Sequence, residues 1–444
     1  MSLRVLKLFN ANLLSISFKT RKGLEFVAAE DIKKTLILHK IVNDDLATTT
    51  FTYEPRTGRV HLFCQTDSIA TLKSQLSATP LFSIYSMTLI ASESVIPPEI
   101  FNDDNEQSTH DFVARQTSVA PWYTVIPEQS TLDEQQQHLQ QEYVCEMKEP
   151  ITFRATFKKG SIKHKARSQE MAGYVGFAFS SFFKHWKAKM TGFDYEIMAV
   201  WIRTKDQHIL NRLQQGRSED QLKVEEDSVI LMLGVTIPTQ HDQKQRNRVF
   251  VGQTSLNPCI AYCLTLISNP QPGQIILDMC CGTGTIPIEG ASNFSDVLWV
   301  GSEVKHKTLT QKALGNVQYC NLKNVELLLG DGRKLCLRDN TVDSVISDWP
   351  WGLRENSFTQ IQKLYPKFLK EMWRIVNKDG RAYIVTQGRK LMNRTLDYDW
   401  CQKLWSVHKV IPIGIGGYEV YLYILMKKAA VPSAQTSPLM NSLS

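Results

Sequence analysis

A series of short apolar segments in the C-terminal half, each followed by an acidic residue, constrains the fold of this chain most. The first segment, residues 274–278, is an apolar run of the kind that fills a buried parallel strand. A glycine-containing turn, residues 280–284, and a helical stretch, residues 286–293, follow it directly. The acids that end or follow the successive segments are Asp278, Glu303, Asp331 and Asp348. Because ligands bind beyond the carboxyl ends of parallel strands, this order predicts an α/β domain with a nucleotide-type site at that edge of the sheet.

The glycine turn narrows the choice of cofactor. Gly282 and Gly284 allow a tight turn close to a ligand, and Glu303 follows Gly284 by nineteen residues, the spacing at which an acid meets ribose hydroxyls. The third position of the dinucleotide fingerprint is occupied by Pro287, which has no N–H to offer a pyrophosphate. This disfavours NAD and FAD. S-adenosylmethionine, which has no phosphates, fits better, with its adenine edge near Asp331.

The most informative motif is Asp348-Trp349-Pro350-Trp351-Gly352, which follows the fourth strand. A carboxylate at a strand end, a proline that stiffens the backbone and a nearby aromatic ring together suit a planar amine. The acid accepts the amino hydrogens, and Trp351 stacks on the ring. The alternative is a turn whose tryptophans fill the core, which is less favoured because charges and indoles at the ligand side of a sheet are unfavourable as packing alone.

Basic residues are concentrated in the middle of the chain. Residues 154–189 contain nine Lys or Arg and a single acid, Glu170. Such a segment favours a polyanion, with phosphate contacts supplying sequence-independent affinity, and the alternative is a solvated helix face. The interleaved aromatic residues are expected in the core. The candidate RNA-binding residues are Lys158, Lys159, Lys163, Lys165, Arg167, Lys187 and Lys189.

Composition excludes several classes of protein. Hydrophobic residues make up 43% and charged residues 21%, which excludes global disorder. No apolar run approaches the roughly 18–20 residues that cross a bilayer, so a soluble protein without a membrane partner is expected. Nine cysteines, odd in number and without a CxxC pair, predict neither a disulfide framework nor a metal site. They favour a reducing compartment, the cytoplasm, and a nuclear pool is compatible with this.

Shifts in composition divide the chain. Residues 99–150 carry eleven acids, two bases and a glutamine-rich run, which predicts a linker or insertion. It separates an α+β unit of ferredoxin-like type, 1–98, from a middle unit, 151–237, and the C-terminal unit follows at 238–428. The tail, 429–444, is expected to be disordered. The first fourteen residues faintly resemble a mitochondrial presequence, but a simple N-terminal extension is favoured.

These motifs resemble those of a known enzyme family. Residues 278–284, Glu303, Asp331 and the tetrad 348–351 are similar to the motifs of amino-directed S-adenosylmethionine methyltransferases, whose usual catalytic motif is [DN]PP[YFW]. Further segments resemble the eukaryotic THUMP-domain tRNA guanosine N2-methyltransferases. They are residues 278–291, Leu364-Tyr365-Pro366, Gly380-Arg381-Ala382, Gly416-Gly417 and the lead-in loop 252–258, together with Gly23-Leu24-Glu25, Gly58-Arg59-Val60 and the stretch from Phe153-Arg154 onward.

The resemblance implies a Rossmann-like class I methyltransferase domain with a seven-stranded, mostly parallel sheet, preceded by a ferredoxin-like domain and a THUMP domain that bind tRNA. It implies methyl transfer from S-adenosylmethionine to the exocyclic N2 of a guanosine in the acceptor-stem region, and a small zinc-binding activator subunit as partner. The expected catalytic residues are Asp348, Pro350 and Trp351. The expected cofactor-binding residues are Asp278, Cys280, Gly282, Gly284, Glu303, Asp331, Gly332, Thr254 and Leu256.

Two positions depart from the pattern of that family. Met279 stands where relatives commonly have proline, and Trp349 stands where they have proline or a small aliphatic residue. Bulk at position 349 is expected to reshape the base pocket. Two alternatives therefore stay open: a methyltransferase acting on another amine, such as a small nuclear RNA guanosine, DNA adenine or protein glutamine, and a catalytically dead THUMP RNA-binding protein. The intact Asp278, Glu303 and Asp348 weigh against the second.

Overall fold

The computed structural model describes residues 13–101, 105–126, 150–160, 162–215, 228–240, 245–351 and 358–428. These residues form two compact units, Met1–Arg246 and Asn247–Ser444. Gly352, the glutamine-rich run, the first twelve residues and the C-terminal tail lie outside the described residues.

One mixed sheet organises the described part of the N-terminal unit. Its strands are β1 (Leu14–Lys19), β2 (Thr49–Tyr53), β3 (Arg59–Cys64), β4 (Ser86–Val95), β5 (Thr152–Lys158), β6 (Lys187–Ala188), β7 (Tyr195–Arg203) and β8 (Val229–Ile237). Its helices are Glu25–Leu38, Ile69–Ala78, Glu106–Val119, Ser168–Phe182 and Gln207–Gln215. The strand order is β2-β3-β1-β4-β8-β7-β5-β6, and the antiparallel pairing of β4 with β8 makes the sheet continuous across the two predicted domains. The division of this N-terminal unit into a ferredoxin-like domain and a THUMP domain stays a prediction.

A buried carboxylate secures the entry to the first helix. Glu25 is 1% exposed and accepts hydrogen bonds from the backbone N–H groups of Gly23 (2.8 Å) and Gly58 (2.6 Å). Because a buried charge needs such partners, this side chain joins the loop before the helix to the turn before β3. The two glycine motifs of the sequence therefore meet at one point of the fold.

Where the structure describes residues 99–150, predicted to be a linker or an insertion, the segment contains a packed helix. Residues Glu106–Val119 form a helix whose Phe112 and Val113 are buried, and Trp122 just beyond it is fully buried. The Trp122 indole donates to the carbonyl of Thr117 at 2.8 Å. Acidic residues lie among these apolar positions, so composition averaged over the segment conceals an amphipathic helix.

The C-terminal unit confirms the expected seven-stranded, mostly parallel sheet. Its strands are β9 (Ile275–Asp278), β10 (Leu298–Glu303), β11 (Val325–Leu329), β12 (Val342–Asp348), β13 (Val376–Thr386), β14 (Trp405–Ile415) and β15 (Tyr418–Lys427), in the order β11-β10-β9-β12-β13-β15-β14. The first five strands of that order are parallel, and β14 and β15 add an antiparallel hairpin. The α-helices are Pro258–Ser268, Thr285–Asn293, His306–Thr308, Leu314–Tyr319, Phe358–Ile375, Arg389–Leu396 and Asp399–Leu404.

The strand order reverses at β9. Strands β10 and β11 lie on one side of β9, and β12 and β13 lie on the other. In open α/β sheets, ligands bind at such a switch point, beyond the carboxyl ends of the strands. Within the described residues, no helix has the length and apolarity needed to cross a membrane.

A close approach between helix Thr285–Asn293 and strand β10 gives a first prediction. A Cβ atom at Gly290 would lie 2.4 Å from the ring of Trp299, which is 1% exposed and has little room to move. Gly290→Ala should therefore destabilise the C-terminal unit by about 1–3 kcal/mol or more, as overpacking does. Hydrogen exchange of β10 peptides measures this loss.

Gly173→Ala is the matched control, because a Cβ there meets no atom within 4 Å and the residue lies within helix Ser168–Phe182. It should be neutral or stabilise by about 0.5–1 kcal/mol through helix propensity. Unchanged exchange of β10 in Gly290→Ala would contradict the tight helix–strand contact.

Candidate active site

Three of the predicted acids lie at one edge of the C-terminal sheet. Asp278 ends β9, Glu303 ends β10 and Asp348 ends β12, and the three strands are parallel neighbours. The apolar runs form the buried interior of these strands, and an acid occupies the last position of each strand. The switch point therefore carries three carboxylates.

Asp278 is the most deeply buried of the three carboxylates, at 4% exposed. Its Oδ1 accepts hydrogen bonds from the Ser347 hydroxyl (2.7 Å) and from the backbone N–H of Cys280 (3.1 Å). The pKa of Asp278 is raised to about 7, mainly by burial; the two hydrogen bonds oppose this rise and the negative charge of Glu303 contributes to it. Its first role is thus to fix the start of the glycine turn and the end of β12.

The glycine turn lies against Glu303. Gly282 and Gly284 adopt positive φ values of 55° and 83°, which side chains with a Cβ rarely adopt. The N–H of Gly282 donates to Oε2 of Glu303 at 3.1 Å, and the N–H of Lys305 donates to Oε1 at 2.8 Å. A Cβ atom built at Gly282 would meet no atom within 4 Å. Open space therefore adjoins the turn, with the Glu303 carboxylate beside it.

A buried asparagine that sequence reasoning missed holds the residues just before the lead-in loop to this turn. Asn316, 1% exposed, accepts from the N–H groups of Val249 (2.9 Å) and Phe250 (2.8 Å), and its Nδ2 donates to the carbonyls of Phe250 (2.9 Å) and Thr283 (3.0 Å). The only sequence signal is an asparagine at a buried position of a helix, between Ala313 and Val317. Asn316 therefore determines where the loop lies.

The lead-in loop makes a second contact with the turn. The hydroxyls of Ser255 and Thr283 are 2.9 Å apart, and the Ser255 hydroxyl also accepts from the N–H of Gly252 at 2.7 Å. Of the two predicted cofactor residues in this loop, Leu256 is buried and Thr254 is exposed. The loop thus adjoins the glycine turn, as a shared ligand site requires.

Asp348 is held by the second tryptophan of its motif. The indole N–H of Trp351 donates to Oδ1 of Asp348 at 2.9 Å, and the Trp351 ring packs edge-on against Tyr418 with centroids 6.3 Å apart. The pKa of Asp348 is raised to about 7, mainly by burial; the hydrogen bond from Trp351 opposes this rise and the charge of Asp278 contributes to it. Asp348 and Trp351 are both half-buried. The pair forms a polar and aromatic wall at the end of β12.

Trp349 does not lie in the expected place. It is 1% exposed, and its ring packs edge-on against Tyr365 (5.0 Å between centroids) and Phe368 (5.2 Å). Met279 belongs to the same buried cluster. Alternate residues of an extended chain face opposite sides, so Trp349 faces the core while Asp348 faces the sheet edge. The bulk at position 349 therefore fills the core, whereas it was expected to reshape the base pocket.

Tyr365 fixes the backbone of the predicted catalytic motif. Its hydroxyl lies 3.2 Å from the carbonyl of Pro350, to which it donates, and 2.5 Å from the Thr386 hydroxyl. Tyr365 is fully buried on helix Phe358–Ile375, and burial raises its pKa well above the ordinary value. The phenol therefore acts as a neutral hydrogen-bonding group that positions Pro350.

Three other predicted cofactor residues lie nearby with separate contacts. Asp331 accepts from the Arg333 side chain at 2.9 and 2.8 Å, and this interaction lowers its pKa. A Cβ at Gly332 would lie 3.1 Å from Phe368 and 3.2 Å from Met279, so its backbone packs on the core. Burial raises the pKa of the Cys280 thiol well above the ordinary value, which makes it a poor nucleophile.

The predicted RNA-binding residues belong to the N-terminal unit. Lys163, Lys165, Arg167, Lys187 and Lys189 are exposed, and Lys158 is half-buried. The Lys159 ammonium instead donates to the carbonyls of His164 (2.8 Å) and Ala166 (3.0 Å), which shapes the loop after β5. Of the interleaved aromatic residues expected in the core, Phe179, Phe183 and Trp186 are buried and Phe182 is half-buried, but the expectation is wrong for Phe177, which is 78% exposed.

The C-terminal unit matches a known family. Residues 245–409 match the model of the RMKL-like methyltransferase domain. The chain is 30% identical over 292 residues to tRNA (guanine(6)-N(2))-methyltransferase THUMP3 of Bos taurus, an alignment that covers 63% of this chain and 52% of that protein. The chain therefore spans about half the length of this curated relative.

Solved structures confirm the fold. TrmN from Thermus thermophilus superposes with a TM-score of 0.62 at 17% identity, over 93% of this chain and 99% of TrmN. The structure of SMU.472 complexed with SAH superposes with a TM-score of 0.59 at 14% identity, over 94% of this chain and 99% of SMU.472. At these identities the likeness concerns the fold. Residues 245–409 are thus similar in sequence to the RMKL-like methyltransferase domain, and the chain is similar in fold to TrmN and SMU.472.

Proposed function

We propose that this chain is an S-adenosylmethionine-dependent tRNA methyltransferase that modifies the exocyclic N2 of a guanosine in the acceptor-stem region. One observation carries the proposal: Asp348, held by Trp351, ends the strand next to Asp278 at the switch point of a methyltransferase sheet. A carboxylate beside an aromatic ring suits a planar amine. The guanine-N2 activity in the name of the THUMP3 relative supports the choice of base, and of position six as the first to test.

The residues around the glycine turn fit S-adenosylmethionine. Space for a ligand adjoins Gly282, and Glu303 presents a carboxylate beside that space. Glu303 would accept the ribose hydroxyls, and the turn from Cys280 to Gly284 would receive the aminoacyl end. Asp331 and Gly332 would line the adenine, and Asp278, Thr254 and Leu256 complete the proposed site. When bound, S-adenosylmethionine supplies an electrophilic methyl group.

The protein residues mainly position the substrate amine. Asp348 accepts a hydrogen bond from the N2 amine and takes up its proton, or passes it to solvent, as positive charge develops on nitrogen. A pKa of about 7 lets the carboxyl act near neutral pH. Trp351 stacks on the base, and Tyr365 holds the Pro350 carbonyl in place for a second contact with the amine. In this scheme the chemistry depends on geometry and on one carboxylate.

Nucleoside mass spectrometry tests the reaction and the substrate together. RNA from cells with and without this protein should differ in N2-methylguanosine of tRNA. In vitro, transcripts in which one guanosine at a time is replaced by inosine, which lacks the N2 amine, should lose methylation at a single position. Loss of the modification from small nuclear RNA instead of tRNA would overturn the substrate, and loss of no methylated nucleoside would overturn the activity.

The partner and the compartment are also inferences. The resemblance to THUMP-domain methyltransferases supports a small zinc-binding activator subunit, and the free cysteines of the described residues support a reducing compartment such as the cytoplasm. Co-expression with that subunit should increase methylation. Equal activity with and without it would remove it from the proposal.

A second prediction concerns the ribose contact. Glu303→Ala should weaken S-adenosylmethionine binding by about 1.5–3 kcal/mol, because it removes a charged acceptor and also releases the N–H groups of Gly282 and Lys305. Isothermal titration calorimetry measures the affinity. Glu326→Ala, an exposed glutamate on β11, is the control and should leave it unchanged. An unaltered titration in Glu303→Ala would place the ribose elsewhere.

A third prediction concerns RNA docking by the basic segment. Replacing the exposed Lys163, Lys187 and Lys189 together by glutamine should weaken binding to many RNAs alike. The slope of log affinity against log salt should fall by up to about 0.7–0.9 for each phosphate that the variant no longer neutralises. Lys159 is left intact because its ammonium shapes a loop.

The matched control replaces three lysines of the first helix region, Lys33, Lys34 and Lys40, by glutamine. It changes the net charge equally within the same unit. If both triple variants alter the salt slope to the same extent, general charge rather than the basic segment accounts for RNA binding.

A further inference from the structure

Two helices of the N-terminal unit bring together three potential metal ligands. Glu106 and His110 are one turn apart on helix Glu106–Val119, and Glu170 lies in the first turn of helix Ser168–Phe182. One ligand atom of each residue lies within 4.8 Å of those of the other two. Residues four apart share a helix face, so the first helix presents a carboxylate and an imidazole side by side.

The histidine of this group has an unsatisfied nitrogen. His110 is 7% exposed, its ring stacks on Tyr174 with centroids 4.6 Å apart, and its Nε2 atom is buried without a hydrogen-bond partner. Buried polar atoms nearly always have partners, because leaving one unpaired costs about 1–3 kcal/mol. One nitrogen of this imidazole lies within 4.8 Å of a carboxylate oxygen of each glutamate, an arrangement that a cation would satisfy.

We propose that Glu106, His110 and Glu170 bind one divalent transition-metal ion, of which Zn²⁺ is the representative. One imidazole and two carboxylates are a typical nitrogen and oxygen ligand set for this class, and their two negative charges balance the ion. Bond lengths of about 2.0–2.2 Å require the ligands to draw together. The Glu170 side chain is 47% exposed and can rotate, and its partner Arg167, at 3.6 Å, is 82% exposed and free to withdraw.

The ion would join two helices of the unit. Helix Ser168–Phe182 runs through the basic segment and carries the exposed Phe177, so a bound ion would fix the position of that segment against helix Glu106–Val119. The ligands belong to a different unit from the methyltransferase sheet, and the proposal assigns the ion no step in methyl transfer. This proposal therefore stands or falls independently of the proposed function. The cysteine pattern of the sequence predicts no metal site. It cannot indicate the site proposed here, because the ligands of this site are an imidazole and two carboxylates from helices that are distant in sequence.

Metal titration of the full chain tests the site. After removal of metal with EDTA and dialysis, Zn²⁺ binding is followed by calorimetry, Co²⁺ binding by visible absorbance, and helix protection by hydrogen exchange. We expect one ion bound through nitrogen and oxygen ligands, a higher melting temperature, and slower exchange in both helices. His110→Gln and Glu170→Gln should each weaken binding at least tenfold and remove the thermal shift. His39→Gln, at an exposed histidine of the same unit, should change neither.

Several outcomes would overturn the proposal. The main one is equal Zn²⁺ affinity in the wild type, His110→Gln and Glu170→Gln. Sulfur-to-cobalt charge transfer in the ultraviolet would assign the ion to cysteines instead. If His110→Gln fails to fold by circular dichroism, Glu170→Gln decides, because an exposed glutamate is replaced there by a side chain of the same size.

Discussion

Replacing Asp348 by asparagine should lower the single-turnover rate of methyl transfer by about 10²–10⁴-fold while leaving S-adenosylmethionine affinity nearly unchanged. The asparagine has the same shape but cannot take up a proton, and its amide N–H₂ would face the substrate amine. Trp351 already donates to Oδ1, so the remaining oxygen carries the contact that the reaction needs. Rapid-quench kinetics with saturating cofactor and calorimetry of cofactor binding measure the two effects separately.

The pH dependence gives an independent check on Asp348. The carboxyl must be ionised to accept the amine, and burial raises its pKa to about 7, so the rate should rise as pH increases through about 7. Asp278 has a similarly raised pKa and interacts with Asp348, so the acidic limb reports the pair together. An Asp348→Asn enzyme that keeps the rate and the limb of the wild type would remove Asp348 from catalysis. Asp379→Asn, at an exposed acid on β13, is the control and should behave as the wild type does.

The sheet edge could be predicted from the sequence because its signals are local. An apolar run that fills a buried strand and the acid that ends it are adjacent in the chain, as with Leu277 and Asp278 or Ser347 and Asp348. Because parallel strands have their carboxyl ends at the same edge of the sheet, these acids lie at one edge regardless of the connecting loops. This is why the positions of the three carboxylates at one edge followed from the chain alone.

The supports of the site could not be predicted in the same way. Asn316 joins a loop and a turn that are distant from it in sequence, and Tyr365 reaches the Pro350 carbonyl from another helix. The structural role of each residue depends on hydrogen-bond partners that only tertiary packing brings close to it. The continuous N-terminal sheet is a similar case, since the pairing of β4 with β8 joins strands separated by most of the unit. Amino-acid composition shows where the residue content changes along the chain, but it carries no information on which strands pair.

The two tryptophans of the predicted catalytic motif show how a local signal can mislead. Both indoles follow Asp348 and both were candidates for the base pocket. Trp349 is buried against Tyr365 and Phe368, whereas Asp348 and Trp351 are half-buried at the sheet edge. The side on which each residue lies depends on the path of the chain after β12, which residue type alone does not determine.

A pair of substitutions separates the roles of these tryptophans and should produce the largest change in stability. Trp349→Ala should destabilise the C-terminal unit by about 3–5 kcal/mol, because it opens a cavity between Tyr365 and Phe368. Trp351→Ala should leave the unit nearly as stable, since that ring is half-exposed, but should lower the methylation rate. Hydrogen exchange of peptides from β12 and helix Phe358–Ile375 reports stability within this unit alone.

A third substitution, Trp349→Phe, distinguishes packing from substrate recognition. The buried Nε1 of Trp349 has no hydrogen-bond partner among the described residues, so phenylalanine keeps an aromatic ring in the core and removes an unsatisfied N–H. It should therefore be clearly less destabilising than alanine and should methylate the same nucleoside as the wild type. If Trp349→Phe left stability unchanged but altered the methylated base, the indole would belong to the base pocket. The substrate specificity of this chain would then depend on Trp349, one of the two positions that depart from the family pattern.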